Sequence, residues 1–380
     1  MRLRYCHYAI GLLLSIGLIP ALRALDLPVQ FDWMHLGIAF WVILTAQSIF
    51  VAALLCLIAL PSEVVFDPLV DRYRRNPLRI VLLLVYLGIL AWAFSWVKAL
   101  ILTVDAVALL EFHERRNLAQ LGRAAAAIVP PALYLFAGFL LVFAYNDIIV
   151  SVRFNFAYDP AFSGIDKAIL YGLSVSDVAH WAIGTFPLSF LHFLEFIYFG
   201  MFPQIGAGII LVTLYDGKLH GLQFVGAILL AYYLALGLFY LWPSHGPYYL
   251  CPAHFSRFPS TLQAYSIQKS LMVHALDRWN HVPIERISTD YFIAFPCMHI
   301  AQPLIVMWFL RRWKRMLLLL CAYDALLIVA ILFLEWHYLV DLIGGLLVAI
   351  LSIAITEGPV RRGSFAPEAR SPVQEGTPAL

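Results

Sequence analysis

Two short segments hold side chains that could do nucleophilic and acid–base chemistry together. One is Ala294-Phe295-Pro296-Cys297-Met298-His299-Ile300-Ala301. The other is Glu335-Trp336-His337-Tyr338-Leu339-Val340-Asp341-Leu342-Ile343-Gly344-Gly345. His337 and Asp341 are spaced i, i+4, so on a helix they share one face and reach each other. A carboxylate one turn from an imidazole accepts its Nδ1–H, which fixes the tautomer and leaves Nε2 as a nucleophile. An acid inside an apolar run is costly without such a partner. A second imidazole, His299, could protonate a leaving alkoxide and later deprotonate an acceptor. Phosphoryl transfer fits this set, because its transition state asks mainly for positioning and for positive charge around the phosphate oxygens. Candidate substrate contacts are Arg257, Lys269, Cys297 and Tyr248, with Arg278, Arg286 and the amides that open a helix at 297–299 as further donors. Tyr248, with Trp242 and Tyr249, equally fits an interfacial aromatic belt. His299, His337 and Asp341 are also metal-ligand types. No HExxH or further spaced histidine accompanies them, so no metal and no cofactor is expected.

The elements that must position these residues are membrane spans. The chain of 380 residues is 62% hydrophobic and only 13% charged, far from the balance of a soluble domain. A formal net charge of +2 with no run of like charges gives no footprint for nucleic acid. Five scattered cysteines with no CxxC pair exclude a disulfide framework and a zinc ribbon. Apolar stretches long enough to cross, or nearly so, lie at 8–25, 34–60, 80–104, 124–148, 186–214, 219–242, 297–312, 316–335 and 338–356. The first follows two arginines but lacks a small-residue cleavage site, so it reads as a retained span. Pro203 predicts a kink inside 186–214 rather than two spans.

Arg311, Arg312, Lys314 and Arg315 lie between two spans, and Arg361 and Arg362 follow the last, which sets that side as cytoplasmic. From residue 124 on, six spans with both ends cytoplasmic satisfy this bias, and stretches 149–185 and 243–296 become outer loops. His299 and His337 are 38 residues apart. Two helical legs of roughly 18 residues, about 27 Å each, go in and come back, so both histidines return to one face. The basic Arg72, Arg74, Arg75 and Arg79 require 80–112 either to cross twice or to re-enter. The expected division is therefore 1–123 as N-terminal spans of unassigned role, 124–357 as a six-span core and 358–380 as a disordered cytoplasmic tail. The fold class is all-α, a polytopic membrane helical bundle.

Pro296-Cys297-Met298-His299, a span, and then Trp336-His337-Tyr338-Leu339-Val340-Asp341 resembles the second and third motifs of the type 2 phosphatidic acid phosphatase superfamily, usually PSGH or PS(L/M)H and HxxxD. His337-Tyr338 through Asp341 is similar to the HYxxD form of the inositol phosphorylceramide synthase-like branch. The stretch from Tyr158-Asp159-Pro160 through Asp166 to Tyr171-Gly172 is similar to that branch's outer loop. The resemblance covers about 124–356. It implies His337 as nucleophile, His299 as acid and base, Asp341 as the orienting carboxylate, a six-helix core and no required metal. The superfamily's first motif, KxxxxxxRP, is absent; Trp242-Pro243-Ser244-His245-Gly246-Pro247 stands in that loop. Ile331 occupies the slot of the arginine six before the nucleophile, and Cys297 replaces serine.

The expected function is a membrane lipid phosphotransferase that moves a head group through a phosphohistidine-type intermediate, with membrane phospholipid or lipid phosphate as donor and a ceramide or diacylglycerol as acceptor. A lipid phosphate phosphatase with water as acceptor uses the same residues. Intramembrane charges support a transporter instead, and the absent first motif supports a non-catalytic scaffold; no symmetry between halves favours the transporter. Composition points to a bacterial inner membrane with the site facing the periplasm.

Overall fold

The computed structural model describes residues 51–52, 80–87, 118–153, 158–250, 261–279 and 293–361, and all of these that form regular structure are helical. The helices with both ends described are α1 (Leu118–Arg153), α2 (Asp159–Ile169), α3 (Val175–Thr185), α4 (Leu188–Phe199), α5 (Met201–Asp216), α6 (Lys218–Leu241), α7 (Gln263–Trp279), α8 (Met298–Leu310), α9 (Lys314–Phe333) and α10 (Leu339–Arg361). Among the described residues, five segments are long and apolar enough to cross a membrane: Gly122–Asn146, Leu188–Asp216, Lys218–Leu241, Lys314–Phe333 and Leu339–Glu357. The chain is an all-α integral membrane protein. Of the spans expected before residue 118, only the helical pieces 51–52 and 80–87 are among the described residues; of the tail expected from 358, residues 358–361 continue α10 and the rest lies outside the described residues.

The span expected at 297–312 is the 13-residue α8, about 20 Å long against roughly 30 Å of hydrocarbon. Its apolar run starts at Met298 because the preceding Pro296 cannot extend a helix backward. The kink expected at Pro203 falls at Gly200, where α4 gives way to α5. Proline lacks the N–H that the Phe199 carbonyl four residues earlier would accept, so the helix breaks just before it. Gly200 also lets Tyr323 come in close, and the Tyr323 hydroxyl donates to the Ile197 carbonyl.

The stretches expected as outer loops are largely helical. Pro160 sits at the start of α2, and Ser174 with Asp177 forms a reciprocal capping box that opens α3. Gly172, at φ 98°, makes the turn between them.

Among the described residues, two large clusters fill the bundle, with a small third around Leu191, Leu262 and Tyr265. One joins α1, α5, α6 and α8 through Leu135, Phe139, Ile205, Phe224, Ile228 and Ile305. The other surrounds the two histidine segments through Tyr198, Met201, Tyr248, Leu327, Leu334 and Trp336. Charges inside the bundle find partners: Gln204 Nε2 donates to Asp324 Oδ1 at 3.2 Å. At the end opposite the histidines, Arg312 pairs with Asp216 and Arg311 with Glu357.

The glycine pair after Asp341 sets how closely α10 meets α8. A Cβ on Gly344 would lie 2.6 Å from the Phe295 ring, and one on Gly345 would overlap the Cys297 carbonyl. Backbone cannot yield as a flexible side chain can. Gly345→Ala is expected to cost about 1–3 kcal/mol, seen as a lower thermal midpoint in detergent. Gly226→Ala on α6, where a Cβ meets nothing within 4 Å, should leave the midpoint equal or slightly higher.

Candidate active site

The segment that carries His337 is shaped by the way α9 ends. Trp336 N–H donates to the Ile331 carbonyl at 3.0 Å and Glu335 N–H to the Leu332 carbonyl at 3.2 Å, the paired bonds of a Schellman turn. Its left-handed residue is usually glycine; here it is Glu335, at φ 59°, a conformation that costs a side-chain-bearing residue energy. Surrounding contacts hold it there. Ser176 Oγ donates to the Glu335 carboxylate, and Gln268 Nε2 on α7 donates to the Leu334 carbonyl at 2.7 Å. Burial raises the Glu335 carboxyl to about 7, against the Ser176 hydrogen bond.

The next residues open α10. Asp341 Oδ2 accepts the Tyr338 N–H at 2.9 Å, capping its own helix, and lies 3.4 Å from His337 Nδ1. On the other side, His337 Nε2 lies 3.3 Å from His299 Nδ1. The order is therefore Asp341, His337, His299. His337 and Asp341 are buried. Burial opposes charge on His337, but the Cys297 sulfur and the Asp341 carboxylate outweigh it and push the ring up to about 10. His299 is oriented by stacking: Tyr198 of α4 lies between His299, at 4.3 Å between centroids, and Trp336, at 5.0 Å.

Other expected contacts fall variously. Cys297 is fully buried at the start of α8, and its N–H donates to the Asp341 carbonyl at 2.9 Å. That amide is already spoken for, and the bond locks the two motif segments together. Tyr248 is buried against Tyr249 and Trp336, with ring centroids at 4.4 and 6.0 Å. Lys269 is exposed on α7. Arg257 and Arg286 lie outside the described residues, as does the Arg278 side chain.

Two acids assigned no role from sequence prove central. Asp159 Oδ1 accepts N–H bonds from His245 and Gly246, both at 3.0 Å, and hydroxyl bonds from Ser244 at 3.3 Å and Tyr338 at 3.2 Å. It ties the start of α2 to the 243–249 loop and to the residue after His337. Asp166 Oδ1 accepts the Leu339 N–H at 3.0 Å, capping α10 from another helix. Burial raises Asp159 to about 6 and Asp166 to about 7, with the neighbouring Asp341 charge adding to both.

A family model described as the PAP2 superfamily has been compared with the chain. Residues 172–355 match it. The PAP2 match spans both histidines and Asp341 and supports a phosphatase-type enzyme acting on lipid phosphates; Asp159 and Asp166 lie before its start. Neither the curated proteins nor the solved structures contain a match to this chain.

Asp166 positions His337 through the α10 N-terminus, so removing its acceptor should loosen the site without emptying it. Asp166→Ala is expected to lower kcat about tenfold or more, since small misplacements of reacting groups are costly. Asp166→Asn, which keeps an acceptor oxygen, should recover much of the loss. Lipid turnover per monodisperse chain measures both, and an Asn variant no better than Ala would contradict the positioning role.

Proposed function

We propose that this chain is a membrane phosphotransferase that cleaves the phosphoester of a lipid through a phosphohistidine on His337 and passes the phosphoryl-bearing group to a hydroxyl acceptor. The observation that carries the reading is the aligned order of Asp341, His337 and His299 within the segment that matches the PAP2 superfamily. His337 Nε2 shares its proton with His299 Nδ1. As the rings part, that proton stays on His299 and frees the Nε2 lone pair; Nε2 then attacks phosphorus and His299 delivers the proton to the departing alkoxide. Asp341 holds the proton on Nδ1 and balances the imidazolium. In the second half, His299 takes the proton of the acceptor hydroxyl, and the acceptor oxygen displaces His337 from phosphorus.

In-line attack places the leaving oxygen opposite the nucleophile. Near-attack contact plus one hydrogen bond then needs the two ring nitrogens roughly 6 Å apart. The observed 3.3 Å is a closed pair, so substrate must part the rings by about 3 Å. α8 is shorter than the hydrocarbon is thick; we read His299, at its start, as recessed below the membrane surface, within reach of a lipid head group drawn inward. We place that face on the periplasmic side of a bacterial inner membrane.

His337 is buried and His299 half-buried; limited access of bulk water to a phosphohistidine on His337 favours a lipid hydroxyl, such as that of ceramide or diacylglycerol, as acceptor. The third motif's likeness to the inositol phosphorylceramide synthase-like branch supports the same acceptor class. A water acceptor would make the same site a phosphatase. Purified chain incubated with labelled phospholipids and phosphatidic acid, with and without ceramide or diacylglycerol, separates the two. A new labelled lipid that needs the acceptor is expected; phosphate released without one would establish the phosphatase. His337→Ala should lose about 10⁴-fold or more of either activity, and undiminished turnover would remove the mechanism.

A further inference from the structure

The residue that departs from the superfamily pattern, Cys297, brings a thiol to the two imidazoles. One ligand atom from each of Cys297, His299 and His337 lies within 4.8 Å of the other two. The separation of His337 Nε2 and His299 Nδ1, 3.3 Å, equals the edge between two nitrogens on a tetrahedral zinc ion, about 3.3 Å for ordinary Zn–N bonds. A sulfur on the same ion belongs about 3.6 Å from each nitrogen, so Cys297 needs at most a shift of roughly 1 Å, available from a side-chain rotation. Behind the cluster, Asp341 Oδ2 stands 3.4 Å from His337 Nδ1, the outer carboxylate that ligating histidines commonly have. Three ligands with a fourth position open is an arrangement that zinc accepts.

We infer that Cys297, His299 and His337 form a binding site for a soft divalent cation such as Zn²⁺, and that its occupancy shuts the enzyme off. The metal takes the Nε2 lone pair that would attack phosphorus; the proton shared by the two rings and the proton of the thiol both leave to solvent on binding. Metal and lipid phosphate then compete for one place. Serine at position 297 is a poor ligand for such an ion, so sensitivity is specific to the cysteine form. The binding claim stands on geometry alone; the inhibition claim rests on the proposed function.

The full chain in detergent, stripped with chelator, tests both parts. Co²⁺ as a spectroscopic probe should give a thiolate-to-metal charge-transfer band, and Zn²⁺ should displace it with about one equivalent per chain. Cys297→Ser should lose the band and bind Zn²⁺ at least tenfold more weakly, measured by competition with a chromophoric chelator. His299→Gln, the second variant, should weaken binding similarly; elution profiles confirm that both are folded. Wild-type lipid turnover should fall with added Zn²⁺, return with chelator, and show a higher apparent KM at partial inhibition. No charge-transfer band in wild type, or equal zinc affinity in both variants and wild type, would overturn the site. A band with full occupancy and undiminished turnover would leave the site standing and overturn instead the placement of catalysis at His337.

Discussion

The Asp341 carboxylate serves two masters within one turn of helix. Its Oδ2 accepts the Tyr338 N–H, which starts α10, and faces His337 Nδ1, which orients that ring. Its backbone carbonyl accepts the Cys297 N–H, which starts α8 beside His299. Helix initiation, ring orientation and the docking of the two motif segments thus depend on one buried residue. In a medium of low dielectric a carboxylate without partners would be prohibitive. With them, the same low dielectric strengthens each contact.

Around this point the fold spends its polar groups on rigidity. Asp166 caps α10 from outside, Asp159 joins three segments, and Ser176 and Gln268 hold Glu335 in a backbone conformation it would otherwise avoid. Tyr198 stacks on both His299 and Trp336, so neither ring turns without the other contact breaking. Of these tethers α2 contributes two and α3 and α7 one each, which gives the helices outside the spans a defined purpose.

The all-α membrane class was legible because apolar runs of about 20 residues have few other solutions. The juxtaposition of His299 and His337 was legible because helix rise and a basic turn fix how far the chain travels and where it reverses. Asp341 does face His337, but not from one helix face as the i, i+4 spacing implied: His337 precedes α10, and the contact arises because Asp341 folds back to cap the helix start. What escaped were contacts between segments far apart in the chain. Asp159 and Asp166 meet the 337–341 segment across more than 170 residues, and no local period announces such a bond. The only signal lay in the 158–172 stretch, quoted for its likeness to an outer loop and given no role. The helices inside the expected outer loops were missed for a different reason: their polar faces resemble loop composition, although the capping box at Ser174 and Asp177 was readable. The kink displaced from Pro203 to Gly200 follows from proline acting on the carbonyl four residues before it, not at its own position.

The central claim is that phosphorus is attacked by His337 Nε2 while His299 attends the opposite oxygen. An experimentally determined structure of the chain trapped with orthovanadate in a lipid nanodisc tests this most directly. The account predicts vanadium bonded to His337 Nε2, an apical oxygen within hydrogen-bond distance of His299, and Asp341 still facing Nδ1. Vanadate bonded to another side chain, or held away from both rings while they remain in contact, would contradict it.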